Sequence, residues 1–174
     1  MTLIGSRTPD TAVMTADAEF PAVSIIIVGF NSRAHLNRSF TSLQALNYRG
    51  PIQTIFVDNC SNDGSTSFVR EHFPGVHVIA SGQNLGYAGG NNRGVKDATG
   101  QILVFLNPDT EVTSGWLDAL VRPLVSDPQT GLTTSKILMM SDRDRINTCG
   151  NAVSLSGITW CRGAGECADQ FSEC

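Results

Sequence analysis

Val23-Ser24-Ile25-Ile26-Ile27-Val28-Gly29, followed at once by Phe30-Asn31-Ser32, is the stretch on which the fold turns. Apolar except at Ser24 and Gly29, Val23–Phe30 reads as a strand buried on both faces, as in a parallel sheet covered by helices. A polar cluster lands just past its end. The arrangement recurs where Ile52–Val57 runs into Asp58-Asn59, and where Ile102–Leu106 runs into Asn107-Pro108-Asp109. In an open parallel sheet such ends share one edge, and ligands bind along that edge. Three polar clusters at three strand exits therefore predict one site.

Helical signals fill the gaps between these strands. Asn31 or Ser32 can cap a helix to about Leu46, with Leu36, Phe40, Leu43 and Leu46 at three-and-four spacing. Asp63, before Gly64-Ser65, is a candidate cap for a short helix through His72, and Val76–Ala80 is a third strand ahead of a helix over 87–98. Thr99-Gly100 reads as a glycine C-cap. Ser114 can start a further helix ended near Pro128, and 130–139 looks like another strand. The stretch 147–160 holds one or two strands, and 162–174 has no periodicity. Strands alternating with helices give βαβ units, an α/β class with a mostly parallel sheet and helices on both faces.

The chain has 174 residues, of which 41% are hydrophobic. This is enough for one domain burying roughly two-thirds of its unfolded surface. The expected organisation is a flexible tail over 1–22 and a single domain over 23–174. A net charge of −4 argues against nucleic-acid binding, which wants a basic face. No apolar run approaches the roughly 20 residues of a membrane span, and 1–20 lacks the pattern of a signal peptide. Five cysteines at 60, 149, 161, 167 and 174 include no Cys-x-x-Cys pair; free thiols in a cytoplasmic protein are the simpler reading, with a metal or disulfide near the C-terminus as the alternative.

Three clusters carry chemistry. A carboxylate at Asp58 can accept a hydrogen bond from a ribose hydroxyl or a base imide, or it can satisfy the turn that follows. In Asn84-Leu85-Gly86-Tyr87-Ala88-Gly89-Gly90-Asn91-Asn92-Arg93-Gly94, four glycines fall within nine residues. Each costs a helix about 1 kcal/mol against alanine, so helix stability is not their purpose. They suit close approach of a phosphate to a helix N-terminus, or a tight crossing of helix on sheet. Neither Gly-x-Gly-x-x-Gly after a strand nor Gly-Lys-Ser/Thr is present, which disfavours dinucleotide oxidoreductases and P-loop NTPases. Asn107-Pro108-Asp109 is either a plain turn or a set of hard oxygen ligands for Mg²⁺ or Mn²⁺ beside substrate phosphates.

His35, His72 and His77 share no metal spacing, and Asp142-Arg143-Asp144-Arg145 suits a solvated face. Trp116 is best read as packing, with Trp160 open as a sugar platform.

Taken together, residues 23–32, 57–65, 84–94 and 106–110 resemble the nucleotide-sugar half of the GT-A family 2 glycosyltransferases, most closely the bacterial rhamnosyltransferase-like branch. The resemblance spans about Val23 to Phe171. It implies a GT-A, Rossmann-like sheet and a nucleotide diphosphate sugar donor, thymidine or uridine linked and in this branch rhamnose. It also implies a divalent ion, Mg or Mn, and inverting transfer to a hydroxyl of a glycan or lipid-linked acceptor. Position by position, Phe30 and Asn31 would line the base pocket and Asp58 would hold the pyrimidine imide. Asn84, Gly86 and Asn91 would follow the ribose and diphosphate. Asn107 and Asp109 take the family's Asp-x-Asp position, with Asp109 the metal contact and Asn107 a departure from the fuller acidic pattern.

Family members continue past Cys174 with a segment that supplies the general base, so the resemblance implies a domain truncated on its C-terminal, acceptor side. No residue here is assigned that base; Glu166 and Asp169 are merely near in sequence. A second expectation follows: a non-catalytic module that binds nucleotide sugar or a protein partner, with exposed edges that favour homo-oligomers. The expected location is cytoplasmic, beside the inner face of a membrane bearing the acceptor.

Overall fold

The computed structural model describes residues 4–6 and 20–171. The chain divides after Thr133 into two compact units, 1–133 and 134–174, where the sequence suggests one domain from residue 23.

The first unit is built on a six-stranded sheet. Its strands are β1 (Ile4–Ser6), β2 (Val23–Gly29), β3 (Ile52–Asp58), β4 (His77–Ala80), β5 (Ile102–Leu106) and β6 (Leu132–Thr133), in the order β4-β3-β2-β5-β1-β6. The four strands β4, β3, β2 and β5, counted in from one edge, are parallel, as expected, whereas β1 runs antiparallel between β5 and β6. β1 lies inside the segment expected to be a tail, and the rest of 1–19 lies outside the described residues.

Alternation along β2 explains why both faces are covered. Ile25 and Ile27 point one way, toward Leu36, Phe40 and Leu43 of α1 (Arg33–Gln44), Phe68 and Val69 of α2 (Ser65–His72), and Leu117, Leu120 and Val121 of α4 (Trp116–Ser126). Ile26 and Val28 point the other way, packing with Ile55, Val57 and Ile79 beneath α3 (Gly86–Asp97). Ile25, Ile26 and Ile27 are all fully buried, each contributing about 1.5–3 kcal/mol.

From β2 through β4 the chain steps outward in one direction; from β4 it returns across the sheet to β5 on the far side of β2. Right-handed crossovers place α1 and α2 on one face and α3 on the other when the direction reverses. The reversal leaves a crevice between β2 and β5 at their C-terminal ends, the position where doubly wound sheets bind ligands.

Several boundaries move. Ser32 stands at the N-cap of α1 but makes no side-chain cap, and its buried Oγ has no partner among the described residues. Gly64, at φ +82°, takes the N-cap of α2 in place of Asp63, and Gly115 that of α4 in place of Ser114. Gly100 is not a left-handed cap: α3 ends on extended Ala98, and Gly100 is glycine because a β-carbon there would collide with the Val23–Ser24 backbone, an approach its N–H uses to donate to Ser24 Oγ at 2.8 Å. The expected strand over 130–139 splits into β6 and β7 (Ile137–Leu138), which belong to different sheets.

In the second unit β7 pairs antiparallel with β8 (Ile146–Thr148), and β9 (Asn151–Val153) pairs with β10 (Thr159–Cys161). A 3-10 turn covers Ala168–Phe171 within the stretch read as aperiodic. Among the described residues of this unit Ile146 and Cys149 are buried, and Gly163, at φ +73°, packs against Cys149 Sγ and the Phe171 ring. Cys60, Cys149, Cys161 and Cys167 are free thiols.

Candidate functional site

Parallel register puts the strand exits side by side. Gly29 of β2 is level with Asp58 of β3, which is level with Ala80 of β4, while Leu106 of β5 is level with Ile27. Asn107 and Asp109 follow within three residues of Leu106, leaving a strand that lies two strand spacings, or roughly 10 Å, from β3. Phe30-Asn31, Asp58-Asn59, Ser81–Gly86 and Asn107–Asp109 therefore all leave the sheet at one edge, with the β2 and β5 exits flanking the crevice. The three clusters do share an edge.

Asp58 is 5% exposed. Its Oδ2 accepts the Ser61 N–H at 3.2 Å, so the turn-satisfying alternative is realised on one oxygen. The other, Oδ1, is buried with no partner among the described residues. An unpaired buried carboxylate oxygen is costly, and a donor arriving from outside would relieve it. Asn91, on α3, repeats the pattern: Nδ2 donates to the Tyr87 carbonyl at 3.0 Å, whereas Oδ1 is buried and unpartnered.

Asn31 takes the left-handed region at φ 49°, which asparagine tolerates better than most residues. Its N–H donates to Ser61 Oγ and its Oδ1 accepts the Asn62 N–H at 3.0 Å, tying the β2 exit to the β3 exit. Phe30 beside it is 54% exposed, a large apolar ring at the rim.

Asp63 closes two helices at once. Its Oδ2 accepts the Arg33 N–H that opens α1, at 2.8 Å, and its Oδ1 accepts the Ser65 N–H that opens α2, at 3.0 Å. Burial alone would raise its pKa, but the Ser65 hydroxyl and these backbone donors outweigh that and hold it below the ordinary carboxylate value. Both helix dipoles point their positive ends at it.

Asn84 is exposed and Gly86 sits at φ +69°, a conformation that favours glycine. The glycines of this stretch divide by task. Cβ atoms added at Gly90 and Gly94 would meet Val28 Cγ1 and Ile26 Cγ2 at 2.6 Å, so these two serve the tight crossing of α3 on β2. Gly86 has open space around it.

Asn107 and Asp109 follow β5 in a turn closed by Thr110 N–H to the Asn107 carbonyl at 3.2 Å. Asp109 is exposed, with no hydrogen bond or ion pair among the described residues. No cluster of three His, Cys, Asp or Glu occurs among the described residues. One free carboxylate with a neighbouring amide fits an ion that takes its remaining ligands from substrate phosphates and water, and does not fit a closed protein cage.

Asn59 joins this edge without a motif of its own to mark it. It is buried, its Nδ2 donates to Asn84 Oδ1 at 2.9 Å and to the Gly86 carbonyl at 3.2 Å, and its Oδ1 accepts the Leu85 N–H at 2.8 Å. Its only sequence signal is an amide adjoining Asp58. Tyr87 stands 48% exposed on the first turn of α3. His77 pairs with Asp97, and Arg145 with Asp142, on exposed faces. Trp116 packs on the core; Trp160, Glu166 and Asp169 belong to the second unit.

This fold and edge define an α/β domain of the GT-A type. The family model described as Glycosyl transferase family 2 matches residues 24–153, and the chain belongs to that family. N-acetylgalactosaminyltransferase 4 of Drosophila melanogaster is 29% identical over 122 residues, covering 64% of this chain and 19% of the relative. N-acetylglucosaminyl-diphospho-decaprenol L-rhamnosyltransferase of Mycobacterium tuberculosis is 27% identical over 118 residues, covering 62% and 38%. The chain thus spans well under half the length of these relatives. Among solved structures, the mannosyltransferase PcManGT of Pyrobaculum calidifontis, in complex with GDP-Man and Mn²⁺, aligns with a TM-score of 0.61 at 24% identity, over 71% of this chain and 37% of that one. S. aureus TarS in complex with UDP aligns at 0.54 and 18% identity, over 70% and 43%.

Proposed function

We propose that this chain carries the donor-binding part of a glycosyltransferase that takes a sugar from a pyrimidine nucleotide diphosphate, dTDP- or UDP-linked, and delivers it to a hydroxyl acceptor with inversion. One observation carries the reading: Asp58 Oδ1 lies buried and unpaired at the edge where three polar strand exits meet. Uracil and thymine each offer one imide N–H, a donor suited to that oxygen.

In this reading Phe30 covers the base and Asn31 shapes its pocket. Asn84, Gly86, Asn91 and Asn107 line the nucleotide sugar along its ribose and diphosphate, and Asp109 contacts Mg²⁺ or Mn²⁺. A bound ion supplies charge neutralisation to the leaving diphosphate. The chain's own contribution is positioning and preorganised donors. In the transfer, the acceptor oxygen bonds to the anomeric carbon as the bond to the phosphate oxygen breaks, the nucleotide diphosphate leaves, and the hydroxyl proton passes to a base, a role given to no residue here. Rhamnose as donor sugar and a lipid-linked acceptor at the inner membrane face are supported by the motif resemblance and the decaprenol-linked relative. Among the described residues no helix is long and apolar enough to cross a membrane.

Calorimetric titration of UDP and dTDP, with and without Mn²⁺, tests the reading. Binding is expected, stronger with Mn²⁺ and with that enhancement removed by Asp109→Ala; no binding of either nucleotide overturns it.

A further inference from the structure

We propose that Asn59 is a positioning residue that fixes the Asn84 amide so that only its NH₂ faces the donor's phosphates. The proposal rests on the nucleotide reading above and adds the device that orients one of its contacts. Two backbone donors set the chain of amides. The Leu85 N–H can only donate, so the Asn59 atom it meets at 2.8 Å is the carbonyl oxygen Oδ1. Asn59 Nδ2 then faces Asn84 and the Gly86 carbonyl, donating one hydrogen to each. The Gly86 N–H, again a donor only, meets Asn84 Oδ1 at 2.9 Å.

Asn84 Oδ1 therefore accepts from both Asn59 and Gly86, and its two lone pairs are occupied. What remains is Nδ2, with two hydrogens and no partner among the described residues, on an exposed side chain one residue before the N-cap of α3. An NH₂ held this way meets acceptors only. Phosphate oxygens are acceptors only, and the adjoining positive helix end favours the same charge. Asn59 is itself 3% exposed with every polar side-chain atom bonded, so its geometry is fixed before a ligand arrives. Aspartate could keep the Leu85 bond but has no hydrogen for Asn84, so the amide is required.

The test compares UDP with uridine, which share the base and ribose but differ in the phosphates. NMR titration is run on the wild type, Asn59→Ala and Asn59→Asp, alongside thermal melting and amide exchange. Both variants are expected to bind UDP about ten- to a hundred-fold more weakly, the scale of one hydrogen bond to a charged group, with uridine affinity changed by no more than about twofold. In Asn59→Ala without nucleotide, the Leu85 and Gly86 amides should exchange faster than in the wild type. Asn59→Asp keeps the Leu85 acceptor and serves where Asn59→Ala folds poorly. Equal losses for UDP and uridine, or unchanged UDP affinity in a folded variant, overturn the proposal and leave the donor reading standing. A wild type that binds neither compound overturns the donor reading and this proposal with it.

Discussion

Gly90 of α3 lies so close to Val28 of β2 that a β-carbon on the glycine would stand 2.6 Å from Val28 Cγ1. At Gly94, one turn on, an added β-carbon would stand 2.6 Å from Ile26 Cγ2 and 3.2 Å from Val57 Cγ2. These neighbours are β-branched and stiff, so they cannot swing aside. Alanine would gain about 1 kcal/mol of helix propensity, but overpacking costs about 1–3 kcal/mol. Gly94→Ala, with two neighbours to displace, lies at the upper end of that cost and should lose about 2 kcal/mol net in urea unfolding. Gly75, with nothing within 4 Å and no positive φ, is the control, and Gly75→Ala should gain about 0.5 kcal/mol. A neutral Gly94→Ala would mean α3 is free to lift from the sheet.

Asp58 should trade stability for binding. The Asp58→Asn side chain has a single acceptor oxygen, which the Ser61 N–H claims, leaving an NH₂ to face the base imide, donor against donor. The substitution also removes a buried charge that lacks a partner on Oδ1. Uridine affinity should fall about tenfold or more while the melting temperature holds or rises. A fall in both would assign Asp58 to the turn alone.

What the sequence made legible, and what it did not, follows from the range of the forces involved. β2 and β5 were readable because both-face burial writes itself as unbroken apolar runs, and the polar clusters at their exits marked the binding edge. Ile4–Ser6 was not, since three residues carry no periodicity and they pair with residues 102–104 of β5 and 132–133 of β6, far along the chain. The break between β6 and β7 was hidden for a related reason: an apolar run does not say which sheet each half joins. In the glycine-rich stretch, composition showed that something comes close but not whether it is Val28 or a phosphate. Asn59 stayed invisible because its three bonds all reach residues 25 to 27 positions later.

Asp63 predicts an acid-sensitive junction. Its pKa is held down in the folded protein, so the unfolded chain takes up the proton first as pH falls. The stabilisation is therefore present above the ordinary carboxylate value near 4 and lost as pH drops below it. Asp63→Ala should cost about 1 kcal/mol at pH 7, the worth of a helix cap, because α1 and α2 each lose the acceptor for their first N–H. Near pH 2 the gap between wild type and variant should close. A gap that persists in acid would place the effect in packing and not in the carboxylate.

Tyr48 predicts the opposite limb. Burial, and then the nearby Asp118 charge, push its phenol up to about 12 from the usual 10. Its hydroxyl donates to the Pro21 carbonyl at 2.6 Å, just ahead of β2. Because the folded value is the higher one, the unfolded chain ionises first as pH rises. Stability from this group is then complete below pH 10 and declines between 10 and 12. Tyr48→Phe removes both the bond and the titration. At pH 7 it should be less stable by about 1 kcal/mol, with part of the loss coming from the orphaned Pro21 carbonyl. Above pH 10 the wild type should weaken faster than the variant in chemical denaturation, so the two curves converge. Parallel curves would mean the hydroxyl reaches water and the Pro21 bond does little to hold the entry to β2.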